Sequence, residues 1–114
     1  MMKKFTHRHM EATDPIDKHA NDQLAKIEHF LEQEREPKFL EMIFIDGKLH
    51  AHFKVEFILK TPNYDLFVAK EGPHFYQLMD EVIDAMYDNL RKEKDRHVDD
   101  RKMVGRHEEF KKQR

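Results

Sequence analysis

The chain has 114 residues, which is enough for one domain that buries roughly two thirds of the surface of its unfolded state. It contains no cysteine, so disulfides, thiolate metal sites and catalytic thiols are excluded. The formal net charge is −2 at pH 7, which argues against a uniformly basic, generic nucleic-acid-binding protein.

The first part of the chain predicts a strand, a helix and a second strand. The segment from Lys3 to Met10 is predicted to be a strand, although its alternation of apolar and polar residues is weak. Thr13 is a candidate N-cap for a helix that begins at Asp14-Pro15. The helix has one apolar stripe, at spacings of three and four: Ile16, Ala20, Leu24, Ile27 and Leu31. The helix ends before Pro37, because a proline disfavours the helical conformation of the residue that precedes it. The second predicted strand, Phe39 to Ile45, is dense in large apolar residues.

The second part predicts two more strands and a long helix. Asp46-Gly47 is typical of a type I′ hairpin turn, which needs positive φ at both central positions. Phe53 to Leu59 alternates between apolar and mostly polar residues, and Tyr64 to Lys70 returns after a turn at Thr61-Pro62-Asn63, where Asn63 tolerates a left-handed conformation. From Phe75 the apolar residues take helical spacing: Phe75, Met79, Val82, Met86 and Leu90.

This order, β-α-β-β-β-α, predicts an α+β fold in which two helices pack on one face of a four-stranded, mostly antiparallel sheet. Because the first strand reaches the sheet through a helical crossover, we expect one parallel pair. We expect residues 1–96 to form the domain and residues 97–114 to form a charged, flexible tail. No apolar run approaches the roughly 20 residues of a membrane span, and residues 1–7 lack the apolar core of a signal peptide. A soluble, cytoplasmic protein is therefore expected.

Five short motifs, in order, carry a resemblance to a known family. They are H-R-H-M-E-A-T-D at 7–14, Q-L-A-K-I-E-H-F at 23–30, K-T-P-N at 60–63, F-Y-Q-L-M-D-E-V-I-D at 75–84 and L-R-K-E-K-D at 90–95. Over about Lys3 to Arg96 the chain resembles the bacterial ribosome hibernation promoting factor and ribosome-associated translation inhibitor family, as a short form.

The resemblance implies a fold like that of a double-stranded RNA-binding domain and a role without catalysis. Members of the family sit on the small ribosomal subunit, in the channel for messenger RNA and transfer RNA, and block translation by occupancy. The implied partners are this subunit and its ribosomal RNA, with no cofactor, small-molecule substrate or membrane, and we expect the free protein to be a monomer. Four residues depart from the family's usual Lys or Arg: Asp17, Asp22, Ala85 and Asp88.

The charge is unevenly distributed, with a balance of −6 over residues 1–90 and +4 over residues 91–114. The attraction of a protein for nucleic-acid phosphates depends on local patches of positive charge rather than on the total charge, so the C-terminal segment is the electrostatic candidate. The candidate RNA-binding cations are Lys3, Lys4, Arg8, Lys26, Arg91, Lys92, Lys94 and Arg96. From the sequence alone, a solvated helix end stabilised by the helix dipole explains them better. The resemblance favours RNA contact for Lys26 and for Arg91 to Lys94.

Two other functions stay open, and catalysis has little support. The same fold could bind a protein partner through its acidic helix face. Alternatively, His7-x-His9 and His50-x-His52 could each place two imidazoles on one face of a strand and together bind zinc, although scattered surface histidines explain them better. The sequence has no nucleophile elbow, Gly-rich phosphate loop or H-E-x-x-H motif, so we expect no enzymatic activity.

Overall fold

The computed structural model describes residues 1–11, 14–47 and 52–102, and their side chains as far as Arg96. The order of its elements is β-α-β-β-β-α, as predicted. The elements are β1 (Met2–Arg8), α1 (Asp14–Phe30), β2 (Phe39–Asp46), β3 (Phe53–Lys60), β4 (Asp65–Gly72) and α2 (Phe75–Lys102). Among the described residues, no helix has the length and apolar character needed to cross a bilayer.

The four strands form one sheet in the order β1-β2-β3-β4. β1 pairs with β2 in parallel, and the other two pairs are antiparallel. The parallel pair follows from the connection through α1, because a strand that returns through a helix enters the sheet in the same direction. The mostly antiparallel sheet with one parallel pair is therefore confirmed.

The hydrophobic core lies between one face of the sheet and the two helices. Side chains alternate across a strand, so Val55, Phe57 and Leu59 of β3 point to the same face, and all three are fully buried. The predicted stripe of α1 is buried against this face, and so are Met79 and Leu90 of α2. Both helices therefore pack on one face, which leaves the opposite face, called the open face below, uncovered by them.

The turn predicted at Asp46-Gly47 is wrong in its position. Asp46 is still paired with Phe53, and the Gly47 N–H donates to the His52 carbonyl oxygen at 2.8 Å. Neither Asp46 nor Gly47 has a positive φ, so the dipeptide does not form the predicted type I′ turn, and residues 48–51 lie outside the described residues. Glycine is needed for another reason, because a Cβ at position 47 would lie 2.5 Å from the His52 carbonyl oxygen.

We expect Gly47→Ala to lower the free energy of unfolding by about 1–3 kcal/mol, because the added methyl group forces the two hairpin backbones apart. The matched control is Gly72→Ala, whose Cβ would meet only the Leu78 side chain, at 3.4 Å. Urea denaturation of both variants measures the difference. An equal loss of stability in the two variants would contradict the role of the close backbone approach.

Three further predictions fall near the ends of elements. The turn before β4 is confirmed, since the Thr61 N–H donates to the Tyr64 carbonyl oxygen at 2.8 Å, but Asn63 does not adopt the left-handed conformation. The N-cap residue Thr13 lies outside the described residues. Helix α2 continues to Lys102, six residues beyond the predicted domain boundary at residue 96. Residues 103–114 are not described, so their flexibility stays a prediction.

Candidate nucleic-acid interface

The exposed edges of α1 and α2 are joined by two polar contacts. Nε2 of His19 lies 2.9 Å from Oδ1 of Asp80, and Nζ of Lys26 lies 2.8 Å from Oδ1 of Asp84. Phe30 on α1 then contacts Tyr87 on α2. Since successive residues of α1 meet successive residues of α2, the helices run side by side in the same direction. They present one joint surface to solvent.

Three of the candidate cations gather around two aromatic rings on this surface. Nζ of Lys26 lies 4.6 Å from the ring centroid of Tyr87, and the Arg91 guanidinium carbon lies 5.9 Å from the same centroid. Nζ of Lys94 lies 5.2 Å from the ring centroid of Phe30. The two rings meet edge to face with centroids 5.7 Å apart. We call these residues the cation–aromatic cluster; packing on the core places the two rings, and the exposed cations are weakly attracted to their negative faces.

A groove lies beside the cluster, between the C-terminal end of α1 and the middle of α2. Its volume is about 520 Å³, and its lining includes Phe30, Tyr87, Arg91 and Lys94 of the cluster. His29 and Asp95 also line it. We call it the helix-end groove. It combines aromatic ring surface with two cations and two acids, Glu32 and Asp95. The side formed by the rings and the cations suits a ligand that carries both an aromatic ring and an anionic group.

The cations on α1 and α2 differ in whether an acid already neutralises them. Lys26 is paired with Asp84, and Arg96 is paired with Glu93 at 3.0 Å. Arg91, Lys92 and Lys94 are exposed and form no ion pair with any described residue. These three are therefore the cations best placed to bind an anion without first losing a partner.

The candidate cations of β1 lie elsewhere. Nζ of Lys3 is 2.6 Å from Oε1 of Glu28 and donates to Oδ1 of Asn21 at 2.7 Å, so it joins the strand to α1. Lys4, whose Nζ is 4.0 Å from Glu41, points to the open face, and alternation places Arg8 there too. The eight predicted cations thus do not share one surface. Five lie on α1 and α2: Lys26, Arg91, Lys92, Lys94 and Arg96.

The four departures from the family pattern have different environments. Asp17 is paired with His7, whose Nε2 lies 2.9 Å from its Oδ1. Ala85 is partly buried against the core, whereas Asp22 and Asp88 are exposed. Only the last two therefore place on the helix surface a negative charge that has no ion-pair partner among the described residues. Asp84, which pairs with Lys26, was not identified from the sequence.

The alternative of a zinc site has little support in the geometry. His7 faces the helices, with its ring centroid 5.3 Å from that of Phe44. His9 lies after the end of β1 and has a φ of 61°, so the two do not share a strand face. His50 lies outside the described residues. No group of three or more potential metal ligands occurs in the part of the chain that the structure describes.

The chain is a small α+β protein in which two helices cover one face of a four-stranded mixed sheet, with exposed cations on α2 that form no ion pair with a described residue. A model of the family described as sigma 54 modulation protein / S30EA ribosomal protein matches residues 4–98. The chain belongs to this family of ribosome-associated modulation proteins, which confirms the family predicted from the five motifs. A sequence comparison with curated proteins gave no match.

Two solved structures share the fold. The N-terminal domain of Protein Y from Thermus thermophilus superposes with a TM-score of 0.65 at 16% identity, over 78% of this chain and 93% of that one. A ribosomal subunit interface protein from Coxiella burnetii gives a TM-score of 0.64 at 15% identity, over 82% of this chain and 98% of the other. At these identities, the similarity establishes the fold alone.

Proposed function

We propose that this protein binds the small ribosomal subunit in the channel for messenger RNA and transfer RNA, and inhibits translation by occupying that channel. The observation that carries the proposal is a set of exposed cations on α2, namely Arg91, Lys92 and Lys94, that form no ion pair with a described residue, in a chain of the S30EA family. The printed description of the structural neighbour from Coxiella, a ribosomal subunit interface protein, is consistent with it.

Binding, rather than chemistry, accounts for the proposed effect. Contacts from Arg and Lys to phosphate oxygens supply most of the affinity, and the shape of the domain sets its position on the RNA. No catalytic group or cofactor is needed, and the site of action is the cytoplasm, where the ribosomes are. A monomer is sufficient, because the proposed contacts all come from one chain.

The eight candidate cations take different parts in this proposal. Arg91, Lys92 and Lys94 contact phosphates directly. Lys26 and Arg96 exchange their exposed carboxylate partners for phosphate, which costs little because exposed ion pairs are weak. Lys3, Lys4 and Arg8 lie at the periphery of the interface, since the first is held by Glu28 and the others point toward the open face.

The experiment is co-sedimentation of the protein with purified small subunits over a series of salt concentrations. With three to five phosphate contacts, the logarithm of the binding constant should fall with the logarithm of salt concentration with a slope of about −2 to −4. A purified translation reaction, with and without the protein, measures inhibition. Absence of binding even at low salt would contradict the proposal.

The alternative of a protein partner at the acidic helix face has weaker support from the geometry. Asp80 and Asp84 are already paired with His19 and Lys26. Asp22 and Asp88 are exposed on this surface and have no described ion-pair partner. A pull-down of a protein partner that does not depend on RNA, together with no binding to small subunits, would favour this alternative.

A further inference from the structure

We propose that the helix-end groove binds one unpaired nucleotide of a single-stranded RNA segment, with its base stacked at Tyr87 and its phosphate held by Arg91 and Lys94. The inference rests on the proposed function, because it names the form of RNA that this site recognises. The two can be tested separately, because docking on the ribosome through phosphate contacts alone needs no contact with an aromatic ring.

The size and composition of the groove fit a nucleotide. Its volume of about 520 Å³ lies within the range of roughly 300–1,000 Å³ that is usual for small-ligand sites. The rings of Phe30 and Tyr87 are half-buried, so each is fixed by packing and still partly open to solvent. A rigid aromatic surface of this kind favours stacking of a base, since little conformational freedom is lost on binding.

The cations of the cluster are placed for both parts of a nucleotide. The Arg91 guanidinium, 5.9 Å from the Tyr87 centroid, is a planar group on which a base can stack, and it also donates to phosphate. Nζ of Lys94, 5.2 Å from the Phe30 centroid, supplies a second charge on the same groove. Exposed cation–aromatic contacts are weak, so a base can replace a cation on a ring while the cation moves to the phosphate.

The groove favours an unpaired base over a duplex. In A-form RNA the base faces are covered by stacking and the bases are recessed, so side chains reach mainly phosphates and 2′-hydroxyls. Tyr87 lies in a recess between two helices, where only a base that has left the stack can reach it. Glu32 and Asp95 also line the groove, and their negative charges repel phosphate, so the phosphate of the bound nucleotide is expected on the side of Arg91 and Lys94.

The test compares a labelled ten-nucleotide single-stranded RNA with a short RNA duplex by fluorescence anisotropy. We expect Tyr87→Leu to weaken binding of the single strand by about tenfold and Tyr87→Phe to change it by less than about twofold, because phenylalanine keeps the ring. Binding of the duplex should not change in either variant. The salt dependence should also stay the same, since neither change alters a charge.

Tyr76→Leu is the matched control, because Tyr76 is an exposed tyrosine at the start of α2 and contacts His19 rather than the cluster. It should bind the single strand as the unmodified chain does. The chain has three tyrosines and no tryptophan, so its intrinsic fluorescence comes from tyrosine. Quenching of this fluorescence by the RNA is a second measure of binding at Tyr87, and it needs only Tyr→Phe variants. Quenching by the single strand should be lost in Tyr87→Phe and kept in Tyr76→Phe.

Two results would overturn the inference. One is an equal loss of single-strand and duplex binding in Tyr87→Leu, and the other is failure of the unmodified chain to bind the single strand at low salt. If the chain nevertheless sediments with small subunits, the proposed function stands and the groove proposal fails. If the single strand binds through Tyr87 but the subunit does not bind, the groove proposal stands and the proposed function fails.

Discussion

The double variant Arg91→Gln/Lys94→Gln is expected to bind small ribosomal subunits on the order of 100-fold more weakly than the unmodified chain at about 0.1 M salt. Both side chains are exposed, and neither forms an ion pair with a described residue, so their loss removes phosphate contacts and disrupts no described ion pair. Because two phosphates lose their cation, the slope of the salt dependence should become shallower by about two. Co-sedimentation over a salt series measures both quantities.

The matched control, Lys54→Gln/Lys70→Gln, changes the net charge by the same amount at a different place. Lys54, near the start of β3, and Lys70, near the end of β4, lie at the end of the sheet from which the chain enters α2. Arg91 is 16 residues further along that helix, a distance of about 24 Å at 1.5 Å per residue. The control should retain most of the affinity. If both double variants lose affinity equally, general electrostatic attraction rather than the surface of α2 drives binding.

The opposite change should strengthen binding. Asp84→Asn removes the partner of Lys26, and Asp88→Lys replaces an exposed acid next to Arg91 and Lys92 with a cation. We expect the double variant to bind small subunits on the order of 30-fold more tightly at about 0.1 M salt, with a slope steeper by one to two. Its melting temperature should change little, because surface ion pairs contribute little to stability.

The control for this prediction places the same charge change on the open face of the sheet. Glu56→Lys/Asp65→Asn alters two residues that share this face by the register of β3 and β4. Its affinity should rise by less than about threefold, which is the effect expected from net charge at a distance in physiological salt. If Asp84→Asn/Asp88→Lys does not bind more tightly than this control, the acids of α2 do not limit docking.

Most of the fold follows from periodicity, and the exceptions have local causes. The stripe from Ile16 to Leu31 has helical spacing and is buried as predicted, because only one face of a helix can reach the core. The Asp46-Gly47 turn was misplaced because two further pairs of residues, Asp46–Phe53 and Gly47–His52, extend the ladder. Local turn preference thus yielded to hydrogen bonding between the strands, which a dipeptide motif does not report.

The candidate site could be predicted less completely than the fold. Arg91, Lys92 and Lys94 were identified from a basic helix end together with the family motifs. The ion pair between Lys26 and Asp84 was not predicted, because the two residues are 58 positions apart in the sequence and meet only when the two helices pack side by side. Tyr87 was also missed, although its spacing of four from Arg91 on a helix indicates a contact. In contrast, the placement of Lys3 on one face of the sheet and of Lys4 and Arg8 on the other follows from the alternation of side chains along β1.

The most direct test of the central claim is a density map of the protein bound to the small ribosomal subunit. The account predicts that α1 and α2 face ribosomal RNA in the channel for messenger RNA and transfer RNA, with Arg91, Lys92 and Lys94 within about 3–4 Å of phosphate oxygens and the open face of the sheet turned away. Density for the protein outside the channel, or with the open face against the RNA, would contradict it.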